Sequence, residues 1–301
     1  MSYKKYVQYQ YCQIKSRRYE NEEWGEFSLF NMVDWITAID DNKLLKKTIK
    51  IGPIKARIDF ISYDKESDLW GIRFMRLSDT DIPTKVKENQ EAEAIELDDD
   101  EYIGLDVNML YEKRSGILMV QKNRNALTIQ KIEEVFQNTS KNSIVEISID
   151  PILDLSKDKI TRSNYKYINI SFANLSEWSN RGRNKHSLSS IITPMKKMGG
   201  YGGNVKISVG RRKTSLERSE IAELISEIWK HDKFIKKAEV KVDDEEGLDI
   251  IDLFDNIHQE KIEYVLEAKE ALAYEEAIKK MIYCFNMKKG KLYEAINFSE
   301  G

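Results

Sequence analysis

Stapling and anchoring features are scarce in this chain. Two of its 301 residues are cysteine (Cys12 and Cys284), three are histidine (His186, His231 and His258) and four are proline. Two thiols near opposite ends give neither a disulfide framework nor a metal-ligand spacing, which fits a reducing cytosol. Histidines so scattered give a zinc or haem site little support. No apolar run reaches the roughly 18 residues needed to span a bilayer. Residues 1–20 are polar and tyrosine-rich, without the apolar core of a signal peptide. A cytoplasmic protein with no membrane partner is expected.

Charge, by contrast, is plentiful. There are 48 Lys and Arg against 51 Asp and Glu, a net of −3, and hydrophobic residues still make up 41%. That share can fill a core and keeps the chain out of the disordered class. The length allows one large domain or two of ordinary size. The basic residues are unevenly placed. Between Trp178 and Leu216 stand Arg181, Arg183, Lys185, Lys196, Lys197, Lys206, Arg211, Arg212 and Lys213, with no Asp or Glu among them. Gly199-Gly200-Tyr201-Gly202-Gly203 lies at the centre and reads as a mobile aromatic loop. A positive island in an otherwise acidic chain points to a polyanion or an acidic partner.

Periodicity divides the chain into short elements. Aromatic alternation over Tyr3–Lys15 predicts a strand, and Phe30–Ile39 carries a helical stripe that Asn42 ends. Ile54–Phe60 and Leu69–Leu77 read as a hairpin across the polar turn 63–68, with Ala56, Ile58 and Phe60 on one face. Residues 88–101 hold a run of carboxylates that reads as a solvated loop in preference to a metal site. Two more strands, 102–110 and 116–121, precede a helix over 127–136. The polar stretch 138–143 marks a boundary, giving a β-rich domain over 1–140 and an α+β domain over 141–301. In the latter, strands are expected at 144–149, 165–172, 205–209 and 238–242, with Tyr165, Tyr167, Ile168, Ile170 and Phe172 mostly buried. Helices are expected at 187–198, 214–229 and 271–288. Thr214 and Glu217 have the spacing of a capping box, and Gly290 that of a helix stop.

Several words stand together: Asp81-Ile82-Pro83, then Leu97-Asp98-Asp99-Asp100-Glu101-Tyr102-Ile103-Gly104, Leu110-Tyr111, and Gln121-Lys122-Asn123-Arg124. They resemble an uncharacterised bacterial family, a domain of unknown function often carried on mobile elements. The resemblance covers residues 50–140 well and the remainder loosely. It implies a bacterial or phage origin and a link to mobile-element conflict, and it supplies no catalytic residues. Where the family form places a Gly soon after Gln-x-Asn-Arg, this chain has Asn125-Ala126.

Two constellations bear on chemistry. In the island, Arg181, Arg183, Lys185, Lys196, Lys197, Lys206, Arg211, Arg212 and Lys213 would hold phosphates, and Tyr201 would stack on a base. Gly210–Lys213 would add an anion site at the start of the helix expected from Thr214. Against this, the same cations would also serve by solvating loops and pairing with the acidic segments. The second constellation is Asp249, Asp252 and Glu267-Ala268-Lys269, which resembles the PD-(D/E)xK nuclease core. There Asp252 and Glu267 would hold Mg²⁺ and Lys269 would help activate water. That reading needs 262–266 to be a strand, and the segment also fits an amphipathic helix. No Ser/His/Asp or Cys/His arrangement is legible.

The leading expectation is a non-enzymatic protein that binds DNA or RNA through the island, without a cofactor. The alternative is a protein-interaction or homo-oligomeric scaffold of a phage-defence or mobile-element system. A Mg²⁺-dependent nuclease is the third.

Overall fold

The computed structural model describes residues 2–20, 22–80, 82–140, 145–154, 164–173, 175, 187–212, 214–230, 234–244, 247–254, 257–296 and 298. It is an α+β fold with a β-rich N-terminal half. Its elements begin with β1 (Ser2–Glu20), β2 (Glu23–Trp24), β3 (Ser28–Leu29), α1 (Met32–Asp41), β4 (Ile49–Ile51), β5 (Ile54–Asp64) and β6 (Leu69–Ser78). There follow β7 (Thr84–Lys85), β8 (Glu93–Ala94), β9 (Ile103–Glu112), β10 (Ile117–Gln121), α2 (Ile129–Thr139) and β11 (Val145–Pro151). The remainder is β12 (Asn164–Phe172), α3 (Ser187–Lys197), β13 (Gly203–Ser208), α4 (Arg218–Lys230), β14 (Ile235–Asp244), β15 (Gly247–Asp252), β16 (Gln259–Glu267) and α5 (Tyr274–Ala295). No helix among the described residues is long and apolar enough to cross a membrane. The chain divides into one compact unit of residues 1–149 with 259–290 and a second of residues 150–258 with 291–301.

The first unit is organised along β1. Its ten-stranded sheet runs β11-β1-β10-β9-β6-β5-β4, with β16, β2 and β3 also on β1. Tyr9 and Gln10 face partners in both β10 and β16, so those two strands flank opposite edges of β1. Alternation then sorts the side chains. Cys12 and Ile14 point into the core with Trp35 and Ile39 of α1 and Val135 and Phe136 of α2. Trp35 and Phe136 meet edge to face at 4.6 Å, and the Trp35 indole N–H donates to Thr139 Oγ1 at 2.8 Å. On the other face, Tyr11 lies 6.3 Å from Phe285 of α5, and Phe60 stacks on Tyr274 at 5.3 Å. Gly71 lets the helix approach: a Cβ there would meet the Tyr274 hydroxyl at 2.7 Å.

Short local signals set the helix ends. The Asn31 side chain accepts from the Asp34 amide at 3.2 Å, and Thr128 caps α2 in the same way through Lys131 at 3.4 Å. The Asn42 side chain returns to the Ala38 carbonyl at 2.7 Å, which ends α1.

Several expectations are corrected. Phe60 leaves the face of Ala56 and Ile58, because a bulge between Ile58 and Phe60 adds Asp59 to β5. Asp59 is buried against Arg57, 2.7 Å away. Residues 259–290 join the first unit and not the C-terminal domain expected over 141–301, because β16 completes the sheet on β1. The stretch 262–266 is a strand. The capping box of Thr214 does not form: α4 starts at Arg218, and the Leu216 amide instead donates to Tyr165 O at 2.8 Å. Gly290 is no stop, since α5 runs through it to Ala295. Strand β15 gave no clear signal in the sequence.

A buried tyrosine pair ties β1 to β16, with the Tyr9 and Tyr264 hydroxyls 2.8 Å apart. Burial pushes Tyr264 up to about 12 and Tyr9 higher still. The ordinary tyrosine value is 10.0, so folding favours the protonated ring and the stabilisation is fully present below that pH. It should be lost as pH rises from about 10 through 12. Urea midpoints across that range should show the decline, and Tyr264→Phe with Tyr9→Phe should flatten it. An unchanged slope in the double variant would remove the pair as its source.

Candidate nucleic-acid interface

The described part of the island contributes β13 to a four-stranded antiparallel sheet of the second unit, in the order β13-β12-β14-β15. Ile168, Ile170 and Phe172 of β12 and Ala238 and Val240 of β14 pack with Leu188 and Ile192 of α3 and Ile221, Leu224 and Ile228 of α4. Helices therefore cover one face. A bulge between Tyr165 and Tyr167 resets the alternation, so Tyr165 is buried while Tyr167 turns to the opposite face, which carries no helix among the described residues. This corrects the expectation that both tyrosines are core residues. The register places Asn204, Lys206 and Ser208 of β13 beside Ser171, Asn169 and Tyr167 of β12, and these beside Lys237, Glu239 and Lys241 of β14. On β15, Leu248, Ile250 and Asp252 complete the same face.

Its polar groups hold one another. Lys206 Nζ sits 4.0 Å from the centroid of the Tyr167 ring, a cation–π contact. Asn204 Nδ2 donates to Ser171 Oγ at 2.9 Å. Glu239 meets Lys237 at 2.6 Å and accepts from Asn169 Nδ2 at 3.2 Å. The Lys237 hydrogen bond, then that of Asn169, keeps the Glu239 carboxyl below its ordinary value. Burial, followed by the Glu239 charge, pushes the Tyr167 hydroxyl up.

Of the residues singled out in the sequence, Arg181, Arg183, Lys185 and Lys213 lie outside the described residues. The other cations do not converge on a pocket. Lys196 and Lys197 are exposed at the end of α3, Lys206 is midway along β13, and Arg211 and Arg212 are exposed on the turn beyond it. Six residues of strand at about 3.3 Å each separate the two ends by roughly 17 Å. Tyr201 is 64% exposed just before β13. The glycines there have a structural task. Gly199 has φ +77°, its amide donates to Lys196 O at 2.9 Å, and the Gly200 amide donates to Met195 O at 3.1 Å. That pair of bonds is a Schellman stop. Lys196 and Lys197 then suit the negative end of the α3 dipole. The anion site expected at Gly210–Lys213 is not at a helix start, because α4 begins at Arg218.

The nuclease constellation is divided. Asp252 ends β15 in the second unit, whereas Glu267 ends β16 and Lys269 follows it in the first unit. Lys269 is exposed in a turn at φ +69°. Among the described residues, no group of three or more His, Cys, Asp or Glu is placed to hold a metal ion.

The first unit has a concavity that sequence reasoning missed. A cleft of about 790 Å³ lies beside Arg17, Trp24, Phe30 and Asp34. Arg17 is engaged there, 2.6 Å from Glu146 and over the rings of Trp24 and Phe27 at 5.1 and 4.7 Å.

A model of a family of unknown function, DUF6731, matches residues 2–292. The chain belongs to that family. No curated protein matches it. The word Gln121-Lys122-Asn123-Arg124 has a visible structural part in this chain. Gln121 Oε1 accepts from the Asn108 amide at 3.1 Å and from Asn108 Nδ2 at 2.8 Å, and Asn123 Nδ2 donates to Asp106 O at 3.2 Å. These bonds lock the end of β10 onto β9.

If the glycines terminate α3, Gly199→Ala should cost about 1–2 kcal/mol through its left-handed backbone. Nothing lies within 4 Å of the added Cβ, so crowding contributes nothing. Urea denaturation measures the loss; an unchanged midpoint would return the loop to a purely mobile role.

Proposed function

We propose that this family member binds nucleic acid through the second unit, along β13 and the sheet face without helices. The observation that carries the reading is the set Lys196, Lys197, Lys206, Arg211 and Arg212, exposed on β13 and on the segments that lead into and out of it, in a stretch without a single carboxylate. Cations spaced along a line suit a polyanion, where each contact releases counterions from successive phosphates. A small anion would need them gathered. Lys206 carries both charge and contact with the Tyr167 ring, so phosphate and base could meet neighbouring groups. No catalytic role is assigned. The setting proposed is the bacterial cytoplasm, within a mobile-element or phage-defence system, as the family resemblance implies.

A second reading, a protein partner or homo-oligomer, is favoured by one contrast between sheet edges. The outer side of β16 is occupied: Lys280 Nζ donates to Glu263 O at 2.7 Å and Lys288 Nζ to Gln259 O at 2.8 Å. Strand β13 ends its sheet, and Lys206 and Asn204 lean back over β12. An edge of this kind accepts an added strand. Light scattering across a salt series separates the readings, because assembly driven by charge would loosen with salt in the absence of nucleic acid.

The triple variant Lys206→Ala, Arg211→Ala, Arg212→Ala should weaken binding and make log K against log[salt] shallower by about 2–3. A gel shift of the intact protein at low salt with DNA and RNA is the direct check. No shift with either would end the nucleic-acid reading.

A further inference from the structure

We infer that the ligand of this face is a single strand, laid with its bases against the sheet, and not a duplex. This rests on the nucleic-acid reading above. Duplex recognition works from outside the double helix: cations meet the two phosphate rails, and a helix or ribbon enters a groove to reach the base edges. The second unit presents nothing of that shape among its described residues. Both α3 and α4 are spent on the opposite face, where Leu188, Ile192, Leu224 and Ile228 are buried in the core.

The helix-free face instead mixes charge with exposed apolar surface. Leu248 is 62% exposed and Ile250 is 55% exposed, and the register sets Ile250 opposite Lys241, which in turn lies opposite Tyr167. Apolar side chains gain nothing from a phosphate rail. They do gain from the faces of unstacked bases, which every base offers whatever its sequence. Tyr201, 64% exposed two residues before β13, supplies a further ring. The carboxylates of the face are engaged: Glu239 by Lys237 and Asn169, Asp243 by Lys166 at 3.1 Å, and Asp252 by the Phe254 amide at 2.9 Å. Lys206 on the face and Arg211 and Arg212 just beyond β13 then contact one continuous backbone, with the bases over Tyr167 and Ile250. Sequence preference is not built into such contacts, since stacking and charge read neither base edge.

Fluorescence anisotropy of the full chain with labelled 20-nucleotide single-stranded DNA and RNA, and with duplexes of the same sequences, tests this. Single strands should bind at least tenfold more tightly than duplexes. Tyr201→Ala, and separately Leu248→Ser with Ile250→Ser, should each weaken single-strand binding about tenfold and leave duplex binding unchanged. All three residues are exposed, so circular dichroism should confirm that the variants fold. Equal or tighter duplex binding would overturn the single-strand inference and leave the nucleic-acid reading standing. Full single-strand affinity in both variants would also overturn it. Absence of binding to every probe would overturn both.

Discussion

The pairing of β1 with β16 is the constraint on which the first unit depends. Nine consecutive register pairs, from Ser2 with Glu267 to Gln10 with Gln259, bring distant parts of the chain into one sheet. Closing a loop of that length costs conformational entropy, although the cost grows only logarithmically with length. The compensation is dense. Tyr9 and Tyr11 receive the cover of α5, the Tyr9 and Tyr264 hydroxyls satisfy each other, and Lys280 and Lys288 bind α5 to the strand it covers. Residues 150–258 are consequently an insertion in the sequence of the first unit.

Much of this fold was legible as local pattern. The Asn31–Asn42 helix, the β5–β6 hairpin and the β9–β10 pair all follow from periods of 3.6 or 2 and from turn residues. The failures share a cause. Nothing within Gln259–Glu267 says that its partner is β1, because pairing partners are a property of the sheet and not of the strand. The bulges at Asp59 and Lys166 were equally silent, yet each moves an aromatic ring, Phe60 or Tyr167, to the other face. Composition marks Thr214–Glu217 as a cap, but the Tyr165 carbonyl competes for the Leu216 amide and delays the helix.

The candidate site was legible as charge and illegible as shape. The run of cations without acids marks the segment around β13. It could not show that Lys196 and Lys197 also complement a helix end, or that Gly199 and Gly200 close that helix. Leu248 and Ile250 escaped notice because, taken alone, they look like ordinary strand residues; only the four-stranded register puts them beside Tyr167. The Asp252–Glu267–Lys269 word is distributed over two compact units, a division that spacing along the chain does not reveal.

The separation of β1 from its partner has a meaning for synthesis as well as for stability. Gln8 and Gln259 touch across 251 positions of chain. A ribosome adding about 5–20 residues per second takes on the order of 10–50 s to cover that distance. For all of that time the tyrosine-bearing edge of β1 has emerged and β16 does not yet exist. The nascent chain therefore carries an unfinished sheet through the synthesis of residues 150–258, and its yield in a cell will turn on what shields that edge while it waits.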